Sequence, residues 1–284
     1  MKVAYIGLGS MGAPQARLIA RAGHQLAVHD AFPAARAAFR SLARIADSAA
    51  DAAQDAEIAC VCVRDDRQVN EVVLGDAGLV QTLASGSLIL IHSTVEIATL
   101  HALQAKLAPR GIALVDAPVS RTRSTDEEAF VFTLLGGDTR DVERARTLVT
   151  AFSTDVEHLG PLGAGMAAKI ANNLVTWTHL VVGSQAANLA AYHGVTYEKL
   201  RRVMTANGNL TPTVTAMLDG KQQSPPGTNP VRDQFLASQA GIGEKDLGLA
   251  IDCGKAAGLS VAMMSATREL VRGMMTGALV QPAR

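Results

Sequence analysis

The strongest constraint on this chain sits close to its start. An apolar run, Val3–Ile6, leads straight into Gly7-Leu8-Gly9-Ser10-Met11-Gly12, and a segment of helical periodicity, Pro14–Ala22, follows. Each glycine has a separate physical job. Gly7 permits a tight turn, Gly9 lets the backbone approach a pyrophosphate with no Cβ in the way, and Gly12 allows the helix to pack close to the strand. A helix opening there offers unpaired N–H groups and a positive dipole end to phosphates. Such a motif is informative only with a strand before it and a helix after it, and both are present. The expectation is a dinucleotide cradle made by Gly7, Leu8, Gly9, Ser10, Met11 and Gly12.

The first half of the chain repeats this alternation. Val3–Ile6, Gln25–His29, Ile58–Val63, Ser87–Ile91, Ala113–Val115 and Val131–Leu135 read as strands, several of them apolar on both faces. That pattern marks a parallel sheet covered by helices on each side. Pro14–Ala22, Ala34–Leu42 and Glu96–Ala108 carry the intervening helical periodicity. The expected fold is an α/β Rossmann-type doubly wound sheet.

The second strand ends in Asp30, 18 positions after Gly12. A carboxylate there accepts hydrogen bonds from ribose hydroxyls and repels a 2′-phosphate, and neither Ala31 nor Phe32 supplies a cation to hold one. The expected cofactor is therefore NAD rather than NADP, with a capping role in the following turn as the plainer reading of Asp30. Two rival classes lose support. Proteins that bind S-adenosylmethionine usually place an acid before the first glycine, where this chain has Ile6. Short-chain dehydrogenases need a lysine four residues after a tyrosine. Tyr5, Tyr192 and Tyr197 are followed at that spacing by Gly9, Thr196 and Arg201.

Composition narrows the partners. Of 284 residues, 48% are hydrophobic and 18% charged, enough for a large core and unlike a disordered chain. Lysine plus arginine equals aspartate plus glutamate at 26 each, which argues against nucleic acid or an anionic membrane as a partner. No segment has the length of a membrane span, and the first residues do not form a signal peptide. Of the three cysteines, Cys60, Cys62 and Cys253, the first two share one face of a strand and read as small buried hydrophobes, and free buried thiols fit a reducing cytoplasm. No grouping of histidines, cysteines and carboxylates suggests a metal, and His92, His179 and His193 read as structural or partly exposed histidines rather than catalysts. Asp65-Asp66 reads as a solvated loop pair.

The character changes near Gly160. A long alanine-rich stretch without proline runs from Gly163 to about His193, with Gly194 as its stop signal. Beyond it, Asp246–Ala257 and Met263–Met275 are helical in spacing, after a loop at Ser224–Pro230. The methionine pairs Met263-Met264 and Met274-Met275 read as core filler. The expected domains are 1–162, dinucleotide-binding; 163–193, a long connecting helix; and 194–284, an all-helical domain. Early on the long helix lies Lys169, with Asn172 and Asn173 three and four residues on, so that all three can share one face. A lysine among alanines on an apolar helix is partly desolvated, which lowers its pKa and suits it to exchange a proton with an alcohol. A snorkelling surface lysine is the plainer alternative.

Four segments in order resemble the β-hydroxyacid dehydrogenase family, which includes 3-hydroxyisobutyrate dehydrogenases, tartronate semialdehyde reductases and 6-phosphogluconate dehydrogenases. They are Gly7-Leu8-Gly9-Ser10-Met11-Gly12-Ala13-Pro14; Asp116-Ala117-Pro118-Val119-Ser120; Gly160 through Asn173; and Glu244-Lys245-Asp246-Leu247-Gly248-Leu249-Ala250. The resemblance spans nearly the whole chain. It implies that Lys169 is the general acid/base, that Asn173 holds the substrate oxygen, and that Ser120 binds the carboxylate of a small substrate. It further implies that Val63-Arg64 and Ser93-Thr94 line the cofactor, that Lys245 closes over the cleft, and that the protein forms a homodimer or homotetramer.

One departure bears on the substrate. The family usually follows its serine with two glycines, where this chain has Arg121 and Thr122, then Arg123. Either an arginine binds a second anionic group of the substrate, or the guanidinium groups point into solvent. Two other functions share such a fold: imine reduction, against which Lys169 with Asn173 argues, and nucleotide binding without catalysis, against which the intact lysine motif argues.

Overall fold

The computed structural model describes residues 1–122 and 126–277. The chain divides into two compact units, Met1–Lys169 and Ile170–Arg284.

In the first unit the elements alternate as β1 (Lys2–Ile6), α1 (Gly12–Arg21), β2 (Gln25–His29), α2 (Pro33–Ala37), β3 (Arg44–Ile45), α3 (Ala49–Ala53), β4 (Ile58–Val61), α4 (Asp66–Leu74), β5 (Leu88–Ile91), α5 (Ile97–Leu107) and β6 (Ala113–Asp116). Then come β7 (Val119–Arg121), β8 (Val131–Gly136), α6 (Thr139–Val149) and β9 (Ser153–Gly160). The order β3-β2-β1-β4-β5-β6 is parallel throughout. The strand order reverses between β1 and β4, and ligands of such sheets bind at the carboxyl ends of the strands at that point. Tyr5, Val28, Cys60, Leu90 and Val115 face a core shared with α1 and α6. Their neighbours, including Ala4, Ala59, Ile89 and Leu114, alternate to the other face and are buried there, where α3 packs on β1 and α5 on β6. The Rossmann-type expectation is met.

Several details differ from expectation. Val131–Gly136 is antiparallel to β6 and β7, because only residues 122–130 separate it from β7, too few for the crossover a parallel neighbour needs. The strand β9, parallel to β8, was not legible, since its exposed positions Thr154, Asp155 and Glu157 hide a half-buried edge. The helix α2 is shorter than expected, and the turns after it bury Phe39. Asp65 and Asp66 do not form a solvated loop pair. Asp65 caps α4 by accepting from Gln68 N, and Asp66 Oδ1 accepts from Glu96 N at 2.9 Å and Thr99 Oγ1 at 2.7 Å.

The long helix α7 (Ala164–Tyr192) begins in the first unit and runs into the second. It stops where expected: Gly194, at φ +73°, lets Val195 N donate back to the Ala190 carbonyl. The second unit continues with α8 (Tyr197–Ala206), α9 (Pro212–Gln223), α10 (Pro230–Ala256) and α11 (Ala262–Thr276). Its core gathers Trp177, Leu180 and Val181 with Val214, Leu218, Leu247, Val271, Met274 and Met275. Met274 and Met275 are core filler, whereas Met263, in the first turn of α11, is exposed. Among the described residues no helix is long and apolar enough to cross a membrane, and no three metal-ligating side chains cluster.

Candidate active site

The glycine loop follows β1, at the reversal point of the sheet. A Cβ on Gly7, at φ +97°, would collide with the Cys62 carbonyl, and one on Gly12 with the Gly7 carbonyl. These two glycines are fixed by packing of protein on protein. Gly9 differs: a Cβ there would meet no protein atom within 4 Å, so the space beside it is open. Leu8, Ser10 and Met11 complete the loop, Ser10 exposed, and no acidic residue in the first turn of α1 opposes an anion. Asp30 reaches back to this loop. Its Oδ2 accepts from Leu8 N at 2.6 Å and its Oδ1 from Phe32 N at 2.8 Å. The turn-capping role is thus real, and each oxygen keeps a second lone pair. Open space at Gly9, a bare helix N-terminus and a carboxylate at the end of β2 fit a dinucleotide.

The loops after β4 and β5 are tied together. Val63 N donates to Ser93 Oγ at 2.8 Å, and Arg64 N to Gln68 Oε1 at 2.9 Å. Thr94 follows Ser93, and Val95 N meets Met166 Sδ at 3.5 Å. His92 is structural: it is buried, stacks on Tyr5, meets Phe152 edge-on, and its Nδ1 lies 2.7 Å from the Ala117 carbonyl. Burial pushes its pKa down to about 4, so it is neutral at pH 7.

The segment from β6 to β7 and the start of α7 make the next group. Lys169 Nζ donates to Ser120 Oγ at 3.0 Å. Both residues are partly buried. Strand alternation sends Ser120 to one face of β7 and Val119 with Arg121 to the other. Arg121 is exposed, its guanidinium stacked over Phe130 at 4.7 Å and 4.0 Å from Asp126. Thr122 is drawn into the hairpin, its N and Oγ1 both donating to the Phe130 carbonyl. Arg123 lies outside the described residues.

In the second unit, Asn173 Nδ2 donates to Asp246 Oδ2 at 2.7 Å, and Trp177 Nε1 approaches the same oxygen at 3.4 Å. Lys245 Nζ lies 3.1 Å from Asp246 Oδ1. That oxygen has no partner in hydrogen-bond geometry, so the lysine compensates its charge by proximity. Asn172 is exposed one turn after Lys169.

Two site residues were missed by sequence reasoning, Asp116 and Asp246. Each lies inside one of the four family-like segments, and the resemblance attaches no role to it. The available signal was an acid closing or interrupting an apolar run: Asp116 after Leu114-Val115, and Asp246 before Leu247. Asp116 is fully buried at the end of β6, accepting from Gly163 N and Met166 N.

Comparison with known proteins bears on the family and the fold. Residues 2–160 match the family model described as the NAD binding domain of 6-phosphogluconate dehydrogenase. Residues 163–280 match that described as NAD-binding of NADP-dependent 3-hydroxyisobutyrate dehydrogenase. The chain is 32% identical over 277 residues to the NAD-dependent L-serine dehydrogenase of Pseudomonas aeruginosa, covering 95% of this chain and 91% of that one. It is 29% identical over 271 residues to the 3-hydroxyisobutyrate dehydrogenase of the same organism, covering 94% and 90%. The solved structure of Mycobacterium tuberculosis 3-hydroxyisobutyrate dehydrogenase with L-serine superimposes with a TM-score of 0.76 at 26% identity, over 95% of this chain and 91% of that chain. With two family models spanning nearly all of its length and a full-length relative above 30% identity, the chain belongs to the β-hydroxyacid dehydrogenase family.

Proposed function

We propose that this protein is an NAD-dependent oxidoreductase that interconverts a small β-hydroxy acid and its semialdehyde or keto acid. One observation carries the reading: Lys169 Nζ hydrogen-bonded to Ser120 Oγ at 3.0 Å. An amine that moves a proton and a hydroxyl that orients a carboxylate are thereby within reach of one small molecule. The names of the relatives, an L-serine dehydrogenase and 3-hydroxyisobutyrate dehydrogenases, favour a three- or four-carbon substrate.

A bound nicotinamide dinucleotide would supply the hydride chemistry. The chain's own residues do the rest. Gly7 through Gly12 cradle the pyrophosphate, Val63-Arg64 and Ser93-Thr94 line the cofactor, and Asp30 accepts from ribose hydroxyls and disfavours a 2′-phosphate. Lys169 takes the hydroxyl proton in oxidation and returns one to the carbonyl oxygen in reduction. Ser120 orients the substrate carboxylate. Asn173 is held by Asp246 through one amide hydrogen, which leaves the rest of its amide for the substrate oxygen. In the second unit Lys245 is held by Asp246. The stacked, outward setting of Arg121 favours a role in bracing the hairpin over binding a second anion.

The same reading makes the protein a homo-oligomer. Val175, Val182 and Leu189 recur every seven residues on α7 and are 53%, 56% and 64% exposed. An apolar stripe with this spacing suits packing against a second helix.

Absorbance of NADH, followed with a panel of mono- and dicarboxylic hydroxy acids and with both nucleotides, tests the reading. It expects turnover of a short β-hydroxy acid, faster with NAD. Activity on cyclic imines with none on hydroxy acids, or no turnover at all, would replace it.

A further inference from the structure

Asp116 is a carboxylate with no exposed surface, at the last position of β6. Among the described residues its partners are backbone N–H groups at the start of the helix that carries Lys169. Oδ1 accepts from Gly163 N at 2.7 Å and Oδ2 from Met166 N at 2.6 Å. Both oxygens are therefore used on donors the helix cannot satisfy internally, in the region where its dipole favours a negative charge. The surrounding backbone closes on the carboxylate: a Cβ on Gly136 would strike it, and one on Gly165 would lie 2.9 Å away. Gly163, at φ +96°, holds a left-handed conformation that presents its N–H. The fit leaves no room for a longer acid.

This placement has a consequence for the site. Lys169 lies three residues beyond Met166 on α7, less than one helical turn. Ser120 lies four residues beyond Asp116, across Pro118 and in the short strand β7. The two bonds of Asp116 thus join the segment bearing the hydroxyl to the helix bearing the amine. We infer that Asp116 is the positioning residue of Lys169, clamping the first turn of α7 so that Nζ stays within hydrogen-bonding distance of Ser120 Oγ. The inference rests on the proton-moving role proposed for Lys169, and it adds the residue that sets where that proton is delivered.

Asp116 never touches the substrate, so its loss acts through the placement of Lys169, and small displacements of a reacting group are costly. An asparagine keeps the size but offers one carbonyl oxygen to two N–H groups. Burial raises the carboxyl to a pKa of about 6, with the two backbone bonds opposing the rise, and His101 on α5 is the titratable side chain that faces it.

The experiment is a double-mutant cycle with Asp116→Asn and Lys169→Ala, reading kcat, the KM for the hydroxy acid and the Kd for NADH. Asp116→Asn is expected to lower kcat about 10- to 100-fold. NADH affinity should stay within about threefold, which also reports a folded first unit. In the Lys169→Ala background the same substitution should add less than about a twofold loss. A kcat within twofold of wild type, or a loss that persists undiminished without Lys169, overturns the inference. Asp116→Ser, which still accepts one N–H, gives the same reading if the asparagine variant fails to fold. The single variant Lys169→Ala decides the proton role by itself, so failure of that role and failure of the clamp are told apart.

Discussion

Lys169 Nζ and Ser120 Oγ, 49 residues apart in sequence, meet at 3.0 Å. Removing the hydroxyl leaves the amine in place and takes away one donor to a substrate carboxylate. Ser120→Ala is expected to raise the KM for the hydroxy acid and to lower kcat/KM about 10- to 100-fold, of order 1–3 kcal/mol. The Kd for NADH should not change. Steady-state kinetics with a fluorescence titration of NADH checks both, and an unaltered kcat/KM would remove Ser120 from the site.

How much of this was legible in the sequence follows from the range of the forces involved. Gly7 and Gly12 could be read because a tight turn and a close helix–strand approach are local demands on the backbone. Gly194 stopped α7 for the same reason. The Lys169–Ser120 contact was not legible, since no spacing rule spans it; the resemblance supplied only a separate role for each residue. Asp116 and Asp246 were invisible as functional groups because their meaning depends on burial against distant partners, Gly163 and Met166 for one, Asn173 for the other. Asp65 and Asp66 were misread for want of seeing α4, which Asp65 caps.

Asp30 should set the choice of nucleotide. Its two accepted bonds, from Leu8 N and Phe32 N, fix the carboxylate beside the glycine loop. Asp30→Ser is expected to raise the KM for NAD by about tenfold, near 1.4 kcal/mol, and to lower that for NADP by removing a repelling charge. An unchanged ratio of kcat/KM between the two nucleotides would place discrimination elsewhere.

His92 predicts an acid limb in stability. Its folded pKa, pushed down to about 4 by burial, lies below the unfolded value near 6.5. Above pH 6.5 both states are neutral and nothing is lost. As pH falls from 6.5 to 4 the unfolded chain binds a proton that the folded chain refuses, so stability falls, by about 3 kcal/mol in all. Asp116, whose folded pKa is raised to about 6, works the other way: its contribution grows as pH falls from 6 towards 4. Comparing wild type with His92→Phe cancels the aspartate. The variant loses the bond to the Ala117 carbonyl and starts about 1–2 kcal/mol less stable at pH 7. Urea titrations should show that gap closing at about pH 5 to 6 and the order reversing by pH 4, with the variant the more stable by about 1–2 kcal/mol. A gap independent of pH would mean that His92 takes up its proton in the folded state.

The exposed stripe on α7 should govern assembly. Val182→Lys puts a charge at its centre, on a side chain that is already 56% exposed within one chain. Sedimentation velocity is expected to shift towards monomer while the far-ultraviolet circular dichroism stays the same. An oligomer of unaltered size would locate the interface on another surface.

The proton role of Lys169 is tested most directly by Lys169→Ala, measured as kcat alongside the Kd for NADH on one preparation. The account predicts a fall in kcat of about 100-fold or more, with NADH binding within about threefold of wild type. A variant that binds NADH normally and turns over within a few-fold of wild type would contradict it.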